Sequence, residues 1–464
     1  MADRTIESNI NCALKVNERA ASHIEERSKA RFNDVPISND WAFSEAKRTD
    51  TTYITHGYHR YPAKFIPQLA RRLIEEYSQE GNTVLDPFCG CGTTLVESVV
   101  SRRFSYGFDI NPISVMISMA KIRPLDPVLL DETFEQVRLN YCRVSPDLPE
   151  SERIDYWYRE NEKVELSKLF QAILDIDDID VRRFFVCGFS NILKNCSIWN
   201  QKSNKPTRDF KKNVPDVMRT FNRQIRMMIK GNSAFRELID KQTFVESELN
   251  GDWQKGGMVR TISANVDCRD SRSLPLVSES VDLVVTSPPY VTSYEYGDLH
   301  QLSMLWLEGL EDLRAFRETF IGSALRQVDS GIGDFKTLTH SSIAAAIGKN
   351  LISKNGKIAS SVVSYFQSMF EIWSELYRVL RVGSKLCIVI GNTSLKGVEI
   401  HNAEVFVEQA QSLNLRLLDV IKREIPSKNL PSTRDKATGR FAKATAADAL
   451  AYPTEYILVL EKCH

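Results

Sequence analysis

Thr83-Val84-Leu85-Asp86-Pro87-Phe88-Cys89-Gly90-Cys91-Gly92-Thr93-Thr94 is a short apolar strand that runs into a glycine-punctuated turn and then a helical stretch, Leu95 to Ser101. Glycines at such a turn let the backbone approach a ligand closely, and the following helix presents its unpaired N–H groups to it. The next apolar stretch, Ser105 to Phe108, predicts a second strand and ends in Asp109, a carboxylate placed to accept hydrogen bonds from ribose hydroxyls. The bland readings are an ordinary turn at Gly90 and Gly92, and a helix N-cap at Asp109 ahead of Pro112.

Downstream, the apolar run Val281-Asp282-Leu283-Val284-Val285-Thr286 predicts a buried strand that ends in Ser287-Pro288-Pro289-Tyr290. Two successive prolines cannot continue a central strand, so the chain must leave the sheet there in a fixed shape with its carbonyls outward. A serine hydroxyl, free carbonyls and a tyrosine ring suit a planar base that carries an exocyclic NH2 group. A proline-stiffened strand exit without chemistry is the alternative.

With both loops in view, the chain resembles the S-adenosylmethionine-dependent DNA amino-methyltransferases, most closely their cytosine-N4 branch. The resemblance covers most of residues 51–125 and 262–460. It implies that Phe88, Gly90 and Gly92, with Asp86 before them and Thr93 after, cradle the methionine part of the cofactor, and that Asp109 takes its ribose. Asp270, in Asp270-Ser271-Arg272, matches an acidic residue near the adenine; a solvated loop carboxylate is its plainer reading. The block His56-Gly57-Tyr58-His59-Arg60-Tyr61-Pro62-Ala63-Lys64-Phe65 implies further cofactor contacts from Pro62, Lys64 and Phe65. His56 and His59 are read as structural or substrate-positioning rather than metal ligands. Cys91 stands where the family more often has Ser, and its side chain is expected to face the loop exterior. The family fold is a Rossmann-like, doubly wound class I methyltransferase sheet of seven strands, the last antiparallel, interrupted here by a large mainly helical insertion.

The 464 residues are 42% apolar, enough for a large core, and 60 basic residues balance 60 acidic ones. Zero net charge gives no general attraction to nucleic acid, so any must be local. Lys202 to Lys230 holds nine basic residues against Asp209 and Asp216, and Lys422 to Lys443 holds seven against Glu424 and Asp435. Each run alone could be a solvated face; beside a base pocket, both are read as phosphate-binding, through Lys202, Lys205, Arg208, Lys211, Lys212, Arg219, Arg223, Lys428 and Arg434. Nine cysteines, no secretory signal and no apolar run of membrane length are expected of a cytoplasmic protein with free thiols. Cys89 and Cys91 lack a second pair at zinc spacing, so packing is their expected role and no metal is anticipated.

Residues 1–50 are polar and read as peripheral. Phe65 to Tyr77 predicts a helix with Leu69, Leu73, Ile74 and Tyr77 on one face. Residues 51–125 would form the first part of the methyltransferase domain, 126–255 a helical insertion suited to DNA binding and target recognition, and 256–464 the second part. Within the insertion, Val164 to Leu174, Val181 to Lys194 and Val217 to Ile229 have helical spacing, and Tyr156-Trp157-Tyr158 reads as core or lid rather than a base-stacking surface. Residues 291–361, with Tyr294-Glu295-Tyr296 and Gly331-Ile332-Gly333, are expected to be irregular and to touch substrate. Phe366 to Leu380 and Ala403 to Leu413 predict helices; Lys385 to Ile390, Leu415 to Ile421 and Glu455 to Leu460 predict strands.

The expected reaction is methyl transfer to the N4 amine of a cytosine flipped out of double-stranded DNA. Ser287 and the Pro288 carbonyl would hold the amine hydrogens, Pro289 would stiffen the turn and Tyr290 would stack on the base. Carbon-5 methylation needs a cysteine nucleophile, which that family carries in a Pro-Cys dipeptide, and none of the 17 prolines precedes Cys. Adenine-N6 methylation, an RNA base methylase and a non-catalytic DNA-binding module are the alternatives, and a cognate restriction endonuclease is a candidate partner.

Overall fold

The computed structural model describes residues 32–61, 64, 66–203, 206–249, 262–291, 299–323, 335–425, 433–434, 441–442, 449–450 and 454–464. Among the candidate site residues, Pro62, Phe65, Lys205 and Lys428 lie outside them, as do Tyr294-Glu295-Tyr296 and Gly331-Ile332-Gly333. The chain divides into two compact units: residues 45–327 with 378–381, and residues 1–44, 328–377 and 382–464. Those divisions fall at places other than the boundaries expected at 125/126 and 255/256.

In the first unit, after two single-turn segments at Arg48–Thr51 and Ile54–Gly57, comes helix α1 (Pro67–Tyr77), whose face Leu69, Ala70, Leu73 and Ile74 is buried. Pro67 sits at its first turn, where a missing N–H costs nothing, so the helix starts two residues later than the apolar pattern alone suggests. Strand β1 (Thr83–Asp86) leads to α2 (Thr93–Val100), and β2 (Phe104–Asp109) to α3 (Pro112–Ile122). After the insertion come β3 (Ala264–Cys268) and β4 (Val281–Thr286). All are parallel: β1 pairs with β2 at Leu85↔Tyr106 and with β4 at Leu85↔Val284, and β2 pairs with β3 at Tyr106↔Asn265. The carboxyl ends of β1, β2 and β4 thus lie on one edge of the sheet, where ligands bind in such folds.

The insertion is helical, as its spacing predicted: α4 (Pro127–Arg143), α5 (Glu152–Trp157), α6 (Glu160–Leu174), α7 (Ile179–Ile192) and α8 (Val217–Leu249). Its core is aromatic, with Phe134, Phe184, Phe185, Phe189 and Phe221 fully buried, and it includes Trp157, Tyr158 and Trp199. Residues 291–361 depart from the expectation of irregular structure. They contain α9 (Gln301–Leu307), α10 (Leu313–Thr319) and α11 (Ser342–Ile352), because Leu302, Met304, Leu305 and Trp306 make a buried turn that the surrounding polar residues mask in the sequence.

The second unit holds most of α12 (Gly356–Val379) and β5 (Leu380–Ile390), followed by α13 (Asn402–Ser412), β6 (Leu415–Glu424) and β7 (Thr454–Lys462). Strand β7 is antiparallel to β5 at Leu458↔Ile388 and to β6 at Leu458↔Val420, so the last strand is antiparallel as expected. The seven-stranded sheet has the order β3-β2-β1-β4-β5-β7-β6, a Rossmann-like arrangement carrying a helical insertion. Residues 32–44 are less peripheral than their polarity implied: Phe32 and Trp41 are buried, and Ser38 N donates to Lys422 O at 2.7 Å. Among the described residues no helix is long and apolar enough to cross a membrane, and every cysteine is a free thiol.

Candidate active site

Asp86, the last residue of β1, is 2% exposed, and its carboxylate organises the sheet edge. One oxygen accepts from Phe88 N at 3.1 Å and from Thr286 Oγ1 at 2.7 Å, and the other from Thr94 Oγ1 at 2.7 Å. Thr94 lies in the first turn of α2, whereas Thr286 immediately precedes Ser287. One buried side chain therefore ties the glycine loop to the Ser-Pro-Pro-Tyr loop. Burial raises its pKa to about 6, against the lowering effect of those three donors.

The glycine loop is shaped by two left-handed residues, Gly90 at φ +51° and Gly92 at φ +72°. A Cβ on Gly92 would lie 2.8 Å from Ser118 Oγ, so Gly92 seats the loop on α3 rather than facing a ligand. A Cβ on Gly90 would press on the Tyr61 ring at 3.2 Å. Gly90 N donates to Asp109 Oδ2 at 2.9 Å and Asn111 N to Oδ1 at 2.8 Å. Asp109 is not the N-cap of α3; Asn111 takes that role by accepting from Ile113 N. Burial lifts Asp109 to about 6, and its carboxylate keeps lone pairs beyond the two used here.

These residues line a solvent-connected cleft at the sheet edge, where polar groups and an apolar wall converge. Of the residues read from the sequence, Lys64, Asp86, Phe88, Gly90, Thr93, Asp109, Asp270, Ser287 and Pro289 line it, all within the first unit. Pro288 is buried behind the loop and Tyr290 is half-buried. Further wall comes from the loop residues Cys89, Cys91, Ile110 and Asn111, from Tyr61, Arg269 and Ser271, and from the end of α10 with Phe320 and Ile321. Sequence reading missed the latter group because nothing in Thr319-Phe320-Ile321 marks it as a ligand wall.

Asp270 pairs with the neighbouring Arg272 Nη2 at 2.6 Å and accepts from Arg272 N at 3.0 Å, while its carboxylate stays partly exposed at the cleft wall. Arg269 N donates to Asp109 O at 3.0 Å, and Ser271 Oγ donates to Pro87 O, so this turn is fastened to both earlier loops. Cys91 does not face the loop exterior. It is 3% exposed, packs against the helical core and lines the cleft, and Lys121 Nζ donates to its carbonyl at 2.5 Å.

Behind α2, fully buried Glu97 accepts from His56 Nε2 at 2.7 Å, Arg71 Nε at 2.9 Å and Tyr53 Oη. Burial lowers His56 to about 4 even though Glu97 favours its charged form. Lys64 Nζ donates to His56 O at 3.0 Å, leaving two protons for a ligand carboxylate. His59 is held by Ser190 Oγ at 3.0 Å. Both histidines are thus anchored by the protein.

The basic residues sort into two kinds. Lys202, Lys211, Arg219 and Arg223 are exposed. Lys212 is not available to a phosphate, because its ammonium donates to the carbonyls of Lys194, Ser197 and Trp199 at 2.9, 2.5 and 3.0 Å, and burial lowers its pKa to about 8. Arg208 lies on aromatic rings, as described below. Arg434 pairs through its backbone with Phe441 and Ala449.

The donor set fits S-adenosylmethionine: carboxylates at Asp109 and Asp270 for hydroxyl and amine groups, Lys64 for a carboxylate, and Phe88 as an apolar wall. A family model described as DNA methylase matches residues 10–119 and 281–464. The type II methyltransferase M.MvaI of Kocuria varians is 28% identical over 83% of this chain and 87% of its own length. M.BsoBI of Geobacillus stearothermophilus is 24% identical over 74% and 75%. A solved SAM-dependent methyltransferase from Methanosarcina mazei covers 84% of this chain and 96% of its own, at 10% identity and a TM-score of 0.28. With its matched segments carrying both the glycine loop and the Ser-Pro-Pro-Tyr loop, the chain belongs to the DNA methylase family of amino-methyltransferases that use S-adenosylmethionine.

Proposed function

We propose that this DNA amino-methyltransferase acts on the N4 amine of a cytosine flipped out of duplex DNA. The observation that carries this reading is that Ser287 and Pro289 line the same cleft as Gly90 and Asp109, with Asp86 bonded to both loops. The bound cofactor supplies an electrophilic methyl group with a good leaving group. An aromatic amine is a poor nucleophile because its lone pair is delocalised into the ring. The Ser287 hydroxyl and the Pro288 carbonyl accept its hydrogens and favour a tetrahedral nitrogen; Pro289 fixes the turn; Tyr290 covers the face of the base. No covalent enzyme nucleophile is required.

Serine at position 287, where adenine-specific members of the family mostly carry Asp or Asn, favours cytosine. The exposed cations Lys202, Lys211, Arg219 and Arg223 serve the phosphates, and the type II names of the relatives support a cognate restriction endonuclease as partner. The test is to incubate the purified chain with labelled cofactor and, in parallel, with DNA and with RNA, then digest each to nucleosides. Label in N4-methylcytosine is expected. Label in N6-methyladenine would move the target base, and label in RNA alone would replace DNA as substrate.

A further inference from the structure

Arg208 lies 3.7 Å from the centroid of Tyr156 and 4.7 Å from that of Phe210, its guanidinium laid against two rings. Both rings are exposed, Tyr156 at 47% and Phe210 at 67%, an uncommon placement for large apolar side chains in a surface turn. Among the described residues no carboxylate or carbonyl accepts from this guanidinium. Two rings thus lie against the guanidinium, and among the described residues its N–H groups have no acceptor.

The seat is rigid. Arg208 forms a β-bridge with Trp199, flanked by Asn200 N→Thr207 O at 2.8 Å and Asp209 N→Ile198 O at 2.7 Å. Trp199 stacks on Trp157 at 4.9 Å, and Trp157 meets the edge of Tyr156 at 5.0 Å, so the aromatic contact runs from Arg208 into the buried core. The backbone is held from below by Lys212 on three carbonyls and by Arg159 Nη2 on Phe210 O at 3.1 Å.

We propose that Arg208 reads a guanine of the target sequence, presenting its two-pronged donor edge to O6 and N7 in the major groove. This rests on DNA being the substrate. A guanidinium held against two rings loses little further freedom on forming two parallel hydrogen bonds, and that pattern of acceptors on a base edge is unique to guanine. A phosphate contact needs no such directional fixing, and the exposed Lys202 and Lys211 on the same hairpin already supply it. Tyr156 is then a positioning residue for Arg208.

The experiment compares the wild-type chain with R208A, R208K and Y156L on a pool of duplexes with randomised sequence, mapping every methyl mark; cofactor affinity is measured on each variant as a check on folding. R208A should lose preference at one guanine of the recognition sequence by about tenfold to a hundredfold, the remaining positions staying intact. R208K, which keeps the charge but not the fork, should fail to restore it, and Y156L should relax the same position. An unchanged recognition sequence with marking slowed evenly would make Arg208 a phosphate contact and overturn the assignment, as would relaxation at a base other than guanine. If the wild-type chain marks no DNA at all, the substrate reading itself falls, a result distinct from marking that ignores residue 208.

Discussion

Asp86 carries more of the site than any other single side chain. Removing its carboxylate leaves the Phe88 N–H and two threonine hydroxyls without their partner in a dry interior, at about 1–3 kcal/mol for each group that finds no other. D86A is therefore expected to lower the unfolding free energy measured in urea and to cut methyl transfer at least tenfold. Asp109 makes a pH prediction. Its folded pKa near 6 lies above the ordinary carboxylate value, so in the free protein it takes up a proton as pH falls through 6. The ionised form is the acceptor for ribose hydroxyls, so cofactor affinity should fall as pH drops below 6, and D109N should be weaker and show a shallower dependence, the remainder coming from Asp86, whose pKa is also about 6. The glycine loop and Asp109 were legible in the sequence because both belong to short, local patterns. The brace from Asp86 to Thr286 was not, since its two ends are 200 positions apart and nothing in either marks the other. The burial of Cys91 was hidden for a similar reason: Lys121, which holds its carbonyl, is thirty residues away on α3.

At the level of elements, the apolar periodicity of α1, α6, α7 and α13 exceeded the polar noise around them, and these helices could be placed within a few residues, whereas α12 begins at Gly356, ahead of the Phe366 start that its pattern showed. Strand β3 could not. Only Ala264 of its five residues is buried, so neither alternation nor a continuous apolar run announces it. The helices of 301–352 were obscured because each buries only one or two turns. Helix α8 makes a prediction that propensity alone would get backwards. Gly231 lies in its interior, where replacing glycine with alanine ordinarily stabilises by up to about 1 kcal/mol. Here a Cβ would sit 2.3 Å from the backbone oxygen of Ile54, which no rotamer can relieve. G231A should destabilise the chain by more than 1 kcal/mol, measured by thermal or urea unfolding; a gain in stability would show that α8 and the Ile54–Gly57 turn pack otherwise.

For the whole molecule, zero net charge means that nucleic-acid binding has to be local and salt-sensitive in proportion to the phosphates engaged. Reversing Lys202, Lys211, Arg219 and Arg223 to Glu should flatten the dependence of DNA affinity on salt by several units in the logarithmic slope; an unchanged slope would remove this face from the interface. Cofactor affinity should be untouched, because none of the four lines the cleft. The account as a whole stands on one cleft edge serving both the methyl donor and the target amine. Its most direct test is S287A, measured for cofactor affinity by titration and for methyl transfer in a single turnover. The account predicts affinity within about twofold of wild type and transfer lower by about a hundredfold or more. Undiminished transfer, or affinity lost in step with it, would contradict it.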